Sequence, residues 1–421
     1  MTSDVIIIGA GAAGLMAARE LRRAGKTVTI LESSNRVGGR AMTLDVPRAG
    51  VPVELGASFV HGDAPETTKL LDEARFAVVP VTGKQYRSEN GRLAAQGPIW
   101  NRMSLVFRRM KRDRPVDRSF QDFLDEKPGG AKLEDERELA RGFVRGFDAA
   151  DTNLISEKSL AEQGDPTEGA AESKRIVNGY CALIDYLKHD LEGSIHLQHT
   201  ARKIIWTRSH ARVIDTHGTA YTARAVVVTV PLPILQDDTI AFEPEIPGMR
   251  TAARQLVMGH VLHVNLVVRE RFWEDKAGNI SFVHTPSRPF NVWWTQNPLI
   301  APLITGWSGG PPAFEMTESG DVENIVLKEL AKAFGIRRSR VDTIVESIHY
   351  HDWNRDRNIR GAYSYVGVGG SGAQKVLARP VDETIFLAGE ATNAETSGTV
   401  EGALASGKRA ARAVAAALTR S

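Results

Sequence analysis

The residues of this 421-residue chain best suited to chemistry lie near its start. In Gly9-Ala10-Gly11-Ala12-Ala13-Gly14 the first glycine allows a tight turn, the second lets backbone approach a pyrophosphate, and the third lets a helix pack close to a strand. A helix opening there turns unpaired N–H groups and the positive end of its dipole toward bound phosphates. Glu32 follows at about the 20-residue spacing at which a carboxylate takes ribose hydroxyls. Ser33 to Arg40 come directly after, and Arg36 and Arg40 flank the Gly38-Gly39 turn, offering cationic forks to a second face of a diphosphate. The chemistry is dinucleotide binding; the alternative is a glycine-rich structural turn followed by a surface loop.

The surrounding elements support the first reading. Asp4 to Ile8 is a short, continuously apolar, β-branched run, as expected of a strand buried on both faces of a parallel sheet. Leu15 to Arg23 has helical character, Gly25 sits where a helix-terminating glycine belongs, and Thr27 to Leu31 is the next strand. Helical patterns fill about 100–190, including Phe120 to Leu124 and Glu136 to Phe147, with a loop at Gly129-Gly130. Strands return over 195–230, and Ala225 to Val230 reads as another buried strand. Mixed structure with Trp293, Trp294 and Trp307 follows, then a strand at Thr384 to Leu387 and a long helix from about Thr399 to Leu418. The two chain ends therefore form one nucleotide-binding sheet, with a second domain inserted twice.

Composition excludes several classes. Lys and Arg total 53 against 51 Asp and Glu, a net charge of +2, so no nucleic-acid partner is expected. The basic run Arg108, Arg109, Lys111, Arg112 and Arg114 reads as the solvated face of a helix. The single cysteine, Cys181, rules out internal disulfides and Cys-based metal sites. No leader precedes the first strand and no apolar run approaches the ~20 residues that span a bilayer, so a cytoplasmic protein with no membrane partner is expected. No Ser-His-Asp or metal constellation stands out, and the oligomeric state is not legible.

Over nearly its whole length the sequence resembles the flavin-containing amine oxidases, the monoamine and polyamine oxidases. Glu32 to Arg40 is similar to their segment after the second strand. Glu54 to Gly62 is similar to their strand beside the flavin ring, and Val226 to Pro231 to the strand closing the central β-rich part. Phe386 to Glu390 with Ser397 to Ala403 looks like their C-terminal signature. The resemblance implies an α/β fold: a Rossmann-type FAD-binding domain of the amine oxidase kind (1–80, 195–240 and 366–421) with an inserted α+β substrate domain (81–194 and 241–365). It implies FAD held by Gly9, Gly11, Ala13, Gly14, Glu32, Ser33, Arg36, Gly38, Gly39, Arg40, Gly56, Ala57, Ser58, Ala201, Gly389, Glu390, Thr399 and Val400. The C-terminal helix would start at about Thr399 and point positive potential at the flavin N1–C2=O edge.

The family resemblance also places the reaction. Tyr363 would be one aromatic wall beside the flavin. Thr399 stands where monoamine oxidases have a second tyrosine, leaving Trp307 or Phe290 to complete the cage. Ala362 stands where monoamine oxidases carry a cysteine bonded to the flavin, so the FAD is expected to be non-covalent. His61 matches a histidine of polyamine oxidases and favours a polyamine-type substrate; its alternative is a histidine that closes a turn. His263 replaces a lysine that holds a water on flavin N5 and is linked to reoxidation; its alternative is a core histidine. The implied reaction is hydride transfer to flavin N5, release and hydrolysis of an imine to an aldehyde or ketone, and reduction of O2 to hydrogen peroxide. Asp63, Glu66 and Asp148 are candidates for a second substrate cation. The alternatives are an amino-acid oxidase, an FAD-dependent amine dehydrogenase or a desaturase, with a redox-silent flavoprotein least favoured.

Overall fold

The computed structural model describes residues 2–97, 99–164, 172–285 and 288–420. Residues 98, 165–171 and 286–287, which the sequence division places in the substrate part, lie outside the described residues.

Val5–Ile8 forms the centre of a five-stranded sheet ordered Ile195–Leu197, Val28–Glu32, Val5–Ile8, Ala225–Val228, Ile385–Leu387. Every pairing in it is parallel. Ile6 and Ile8 face one core and Val5 and Ile7 another, so the run is apolar at every position. The following helix, Ala12–Arg23, packs on the C-terminal helix Val400–Arg420. Their approach is close: a Cβ on Gly407 would lie 2.2 Å from the Ala13 carbonyl oxygen. The two chain ends are thus one structural layer. The Ala-rich tail supplies it with buried Ala410, Ala411, Val414, Ala417 and Leu418. Tyr180–Lys188 enters the same core through Tyr180, Leu183, Ile184 and Leu187, although the sequence division left it with the substrate part. Gly25 has φ +74°, the left-handed conformation that ends the helix before it.

On the other face of this sheet lies a four-stranded sheet, Ala220–Ala223, His210–Asp215, Ala201–Thr207 and Ala241–Glu243. A seven-stranded sheet holds the long strand Val261–Val268 between Val345–His349 and Leu303–Gly309. Val292–Thr295, Ile280–His284, Lys84–Glu89 and Arg92–Ala95 extend it. Helix Val322–Phe334 covers it, burying Val326, Leu330 and Phe334. Full burial of such side chains contributes about 1.5–3 kcal/mol each, so Phe334→Ala, at about 3–5 kcal/mol, would loosen this layer.

Helices Ile99–Phe107, Phe120–Asp125, Glu134–Phe147 and Glu157–Gln163 make a separate core. Glu134–Phe147 opens with three acidic residues, favoured at a helix N-terminus, and buries Leu139, Ala140 and Val144. Ala149 then adopts φ +52° and turns the chain sharply. The turn sits tight on the long sheet: a Cβ on Gly259 would meet the Ala149 carbonyl oxygen at 2.7 Å. The basic run after Phe107 is not a helix face, because the helix ends at Phe107 and the run continues in largely exposed turns. Among the described residues, no helix is long and apolar enough to cross a membrane.

Candidate active site

A cavity of about 550 Å³ runs from the first glycine turn to the face of the long sheet. At its first end lie Gly9, Gly11, Ala13, Glu32, Ser33, Arg36, Gly38 and Gly39, with Ala201 across from them. The helix Ala12–Arg23 has Gly11 at its cap, no capping side chain and no acidic residue in its first turn. Its leading N–H groups therefore lack a side-chain acceptor, and a Cβ on Gly11 would meet nothing within 4 Å. Gly14 does not line the cavity. Its added Cβ would stand 1.9 Å from the Gly9 carbonyl oxygen, so it serves helix–strand packing. Glu32 is fixed by the amides of Ala10 at 2.7 Å and Ser34 at 2.8 Å, at the open end of its strand.

Both arginines line the cavity, and each is held by partners within the chain. Arg36 donates to the carbonyls of Val37, Gly39 and Ala41 and fastens the Gly-Gly turn. Arg40 donates to the Ala362 carbonyl and to Glu390, both at 2.8 Å. Arg36 is therefore a clasp of the turn. Glu390, 4% exposed, also accepts from the Ser364 hydroxyl at 2.7 Å and the Gly398 amide at 3.2 Å. It is a hub that ties together four separate segments, with Gly389 beside it on the cavity wall. Such charge-assisted bonds are roughly twice as strong as neutral ones.

Beyond this hub the wall passes through Gly56, Ala57 and Ser58 to a group of aromatic and titratable side chains. His263, on strand Val261–Val268, pairs in register with Trp307. Its ring lies 5.4 Å from Trp307 and 5.5 Å from Trp294. Nδ1 is 3.2 Å from the Gly56 carbonyl, which can only accept, so Nδ1 carries the proton. Burial pushes the imidazole down to about 4, helped by the nearby Arg175 charge, so at neutral pH the ring is neutral and Nε2 is an acceptor. His61, 3.0 Å from the Ser173 hydroxyl, and His284 are likewise pushed down to about 4 by burial.

Tyr363 donates its hydroxyl to the Phe147 carbonyl at 2.7 Å, and burial holds its pKa well above the usual value. Its ring packs on Gly398, where a Cβ would lie 3.0 Å away. Thr399 caps the C-terminal helix: its hydroxyl accepts from the Gly402 amide at 2.9 Å. Helix Val400–Arg420 therefore begins at the cavity, with Thr399 and Val400 on its wall. Asp148, delivered by the turn at Ala149, lines the same end. Its Oδ2 is sealed from solvent with no hydrogen-bond partner in the structure, and burial pushes the carboxyl up to about 7.

The family model of flavin containing amine oxidoreductases matches residues 12–415. The chain belongs to this family. It is 30% identical to lysine-specific histone demethylase 1 homolog 3 of Arabidopsis thaliana, over 97% of this chain and 29% of that one. It is 28% identical to polyamine oxidase 3 of Oryza sativa subsp. japonica, over 97% and 88%. The chain spans 29% to 57% of the length of the histone demethylases it matches. In fold it is similar to wild-type putrescine oxidase bound to putrescine, with a TM-score of 0.85 at 21% identity over 99% of each chain.

As a member of this flavin-containing family, the chain takes FAD as its cofactor. The cavity fits it: the glycine turn leaves a helix N-terminus without a capping side chain, and Glu32 stands ready beside it. Of the catalytic and FAD-binding residues named from the sequence, all line one cavity except Gly14. Phe290 does not reach it; it is fully buried against Trp293. Trp307 does reach it. Asp63 is exposed and Glu66 is paired with Lys408 at 2.6 Å, and neither lines the cavity. Sequence reasoning missed Trp294, Phe147, His284 and Gln85, which come from distant strands and a helix end and carry no local motif.

Proposed function

We propose that this chain oxidises an amine bearing a second cation, with O2 as electron acceptor: a polyamine or diamine. The carrying observation is Asp148, a carboxylate with one sealed, unpartnered oxygen beside Tyr363 and Phe147. A buried charge without a partner is costly, and a substrate ammonium would supply one. In this reading 1–80, 195–240 and 366–421, together with Tyr180–Lys188, hold FAD, and the remainder forms the substrate part. Glu32 and Ala201 take the adenosine end. Gly9, Gly11, Ala13, Ser33, Gly38 and Gly39 take the diphosphate. Gly56, Ala57, Ser58, Gly389, Thr399 and Val400 face the ring system. Ala362 has no nucleophile, so attachment is non-covalent.

The chemistry FAD supplies when bound is acceptance of a hydride from the carbon beside the substrate nitrogen. The chain's residues prepare that event. Tyr363, Trp307 and Phe147 exclude water and lower the pKa of the reacting amine, which in water keeps its proton to about pH 10. Asp148 holds the distal ammonium. His263, neutral and anchored on Gly56, accepts a hydrogen bond from a water at the ring. Amine, oxygen and water give a carbonyl compound, ammonia or a smaller amine, and hydrogen peroxide. The neutral His263 also favours a second reading, a dehydrogenase using another acceptor. An amino-acid oxidase is less favoured, because among the arginines lining the cavity Arg36 is taken up by three carbonyls and Arg40 by the Ala362 carbonyl and Glu390.

The test compares putrescine with butylamine on wild type and Asp148→Asn. Preferential loss of kcat/KM for putrescine supports the reading, and an equal change for both amines contradicts it.

A further inference from the structure

Glu32 is one side of the cavity's dinucleotide end, and the other side is a histidine that the glycine motif does not announce. His199 follows strand Ile195–Leu197 by two residues, and its amide donates to the Glu32 carbonyl at 2.9 Å. This places its side chain beside Glu32 and Ser33, and it lines the cavity with Thr200 and Ala201.

The ring is held from behind. Nδ1 lies 2.6 Å from Oδ2 of Asp215, and the Tyr221 hydroxyl lies 2.9 Å from the same nitrogen. Asp215 is fully buried and cannot shift, because its Oδ1 takes the amides of His217 at 2.9 Å and Thr219 at 2.8 Å. Burial alone would raise this carboxyl, but His199 and the two amides hold it below the usual range. His196 and His217 stand edge-on to His199, at 5.6 and 5.4 Å. Among the described residues, no group of three or more His, Cys, Asp or Glu is arranged to hold a metal ion, so the cluster is not read as a metal site.

The His199 side chain is 29% exposed while Asp215 is 0% exposed. With Nδ1 committed to the Asp215 carboxylate, the ring orientation is fixed and Nε2 is the nitrogen left for a ligand. We propose that His199, oriented by Asp215, is a further cofactor-binding residue whose Nε2 makes a hydrogen bond to the adenosine moiety. The proposal rests on the reading that the adenosine end of FAD lies at Glu32.

Flavin mononucleotide provides the discriminating probe, since it shares the ring and one phosphate with FAD but lacks adenosine. Binding of each flavin to the full chain is followed by fluorescence, with thermal melting as the check on folding. His199→Ala is expected to weaken FAD binding about threefold to tenfold, the scale of one hydrogen bond, and to leave flavin mononucleotide unchanged. His199→Gln, which keeps a polar group near the Nε2 position, is expected to recover part of the loss. Glu32→Ala is the control. If it weakens FAD selectively and His199→Ala does not, the His199 assignment is overturned and the placement stands. If neither variant separates the two flavins, the placement itself fails. Equal weakening of both flavins by His199→Ala makes His199 structural and overturns the proposal.

Discussion

At its dinucleotide end the cavity is mostly backbone: a helix start without a capping side chain, a glycine turn packed against a strand, and Glu32 fixed by two amides. At its far end it is side chains. His263 from one strand, Trp294 and Trp307 from two others, Tyr363 from a turn and Asp148 from a helix end meet there. The first end depends on what is missing, a Cβ or a capping group, and has almost no tolerance. The second depends on what is present, and its parts can be exchanged singly. In the proposed reading, one end serves any reaction that uses the dinucleotide and the other selects the molecule that reacts.

If this contrast is right, variants at the two ends fail in different ways. Gly14→Val should have the largest effect. Even a single Cβ meets the Gly9 carbonyl oxygen at 1.9 Å, so the helix must move off the strand. Overpacking of this kind costs about 1–3 kcal/mol or more, and the purified protein should be colourless by absorbance. A yellow, stable Gly14→Val protein would remove the backbone account of that end.

Asp148→Asn should leave FAD content intact and reduce kcat/KM for a diamine by roughly 30-fold, the equivalent of about 2 kcal/mol for a buried ion pair. The pH profile sharpens this. Asp148 is pushed up to about 7, so below that pH it is protonated and unable to pair, and KM for the diamine should rise as pH falls through 7. The inflection should vanish in Asp148→Asn and be absent for a monoamine.

His263→Ala should slow recolouring of the reduced enzyme in air by about tenfold, the scale of one lost hydrogen bond to a water, and alter anaerobic bleaching far less. Stopped-flow absorbance separates the two steps. Tyr363→Phe should have the smallest effect. The ring stays and only the bond to the Phe147 carbonyl is lost, so stability should fall by about 1 kcal/mol in denaturant unfolding, with turnover within about threefold of wild type.

The same contrast explains what could be read from the sequence. Gly9, Gly11, Gly14, Glu32 and the Gly38-Gly39 turn lie within one contiguous stretch, because a β-α-β unit brings its own strand ends together. Their spacing therefore carried the fold and the proposed dinucleotide end of the cavity. The parallel sheet was legible for a similar reason: strands buried on both faces are apolar throughout, as Val5–Ile8 and Ala225–Val228 are. At the far end, His263 meets Trp307 only through antiparallel register, and Trp294 arrives from the next strand over. Spacing encodes neither contact. Family resemblance located His61, His263 and Tyr363 but could not choose among Asp63, Glu66 and Asp148. That choice depended on which carboxylate keeps an oxygen without a partner. Spacing likewise could not show that the Arg36 guanidinium, which lines the cavity, also fastens its own turn through three carbonyls.

The most direct test of the central claim is anaerobic mixing of the FAD-loaded protein with spermidine, putrescine, butylamine and an amino acid, followed at the oxidised flavin band. Bleaching by the polycations at the lowest concentrations, with recolouring in air and release of hydrogen peroxide, is the predicted result. A flavin that stays yellow with every amine would contradict it.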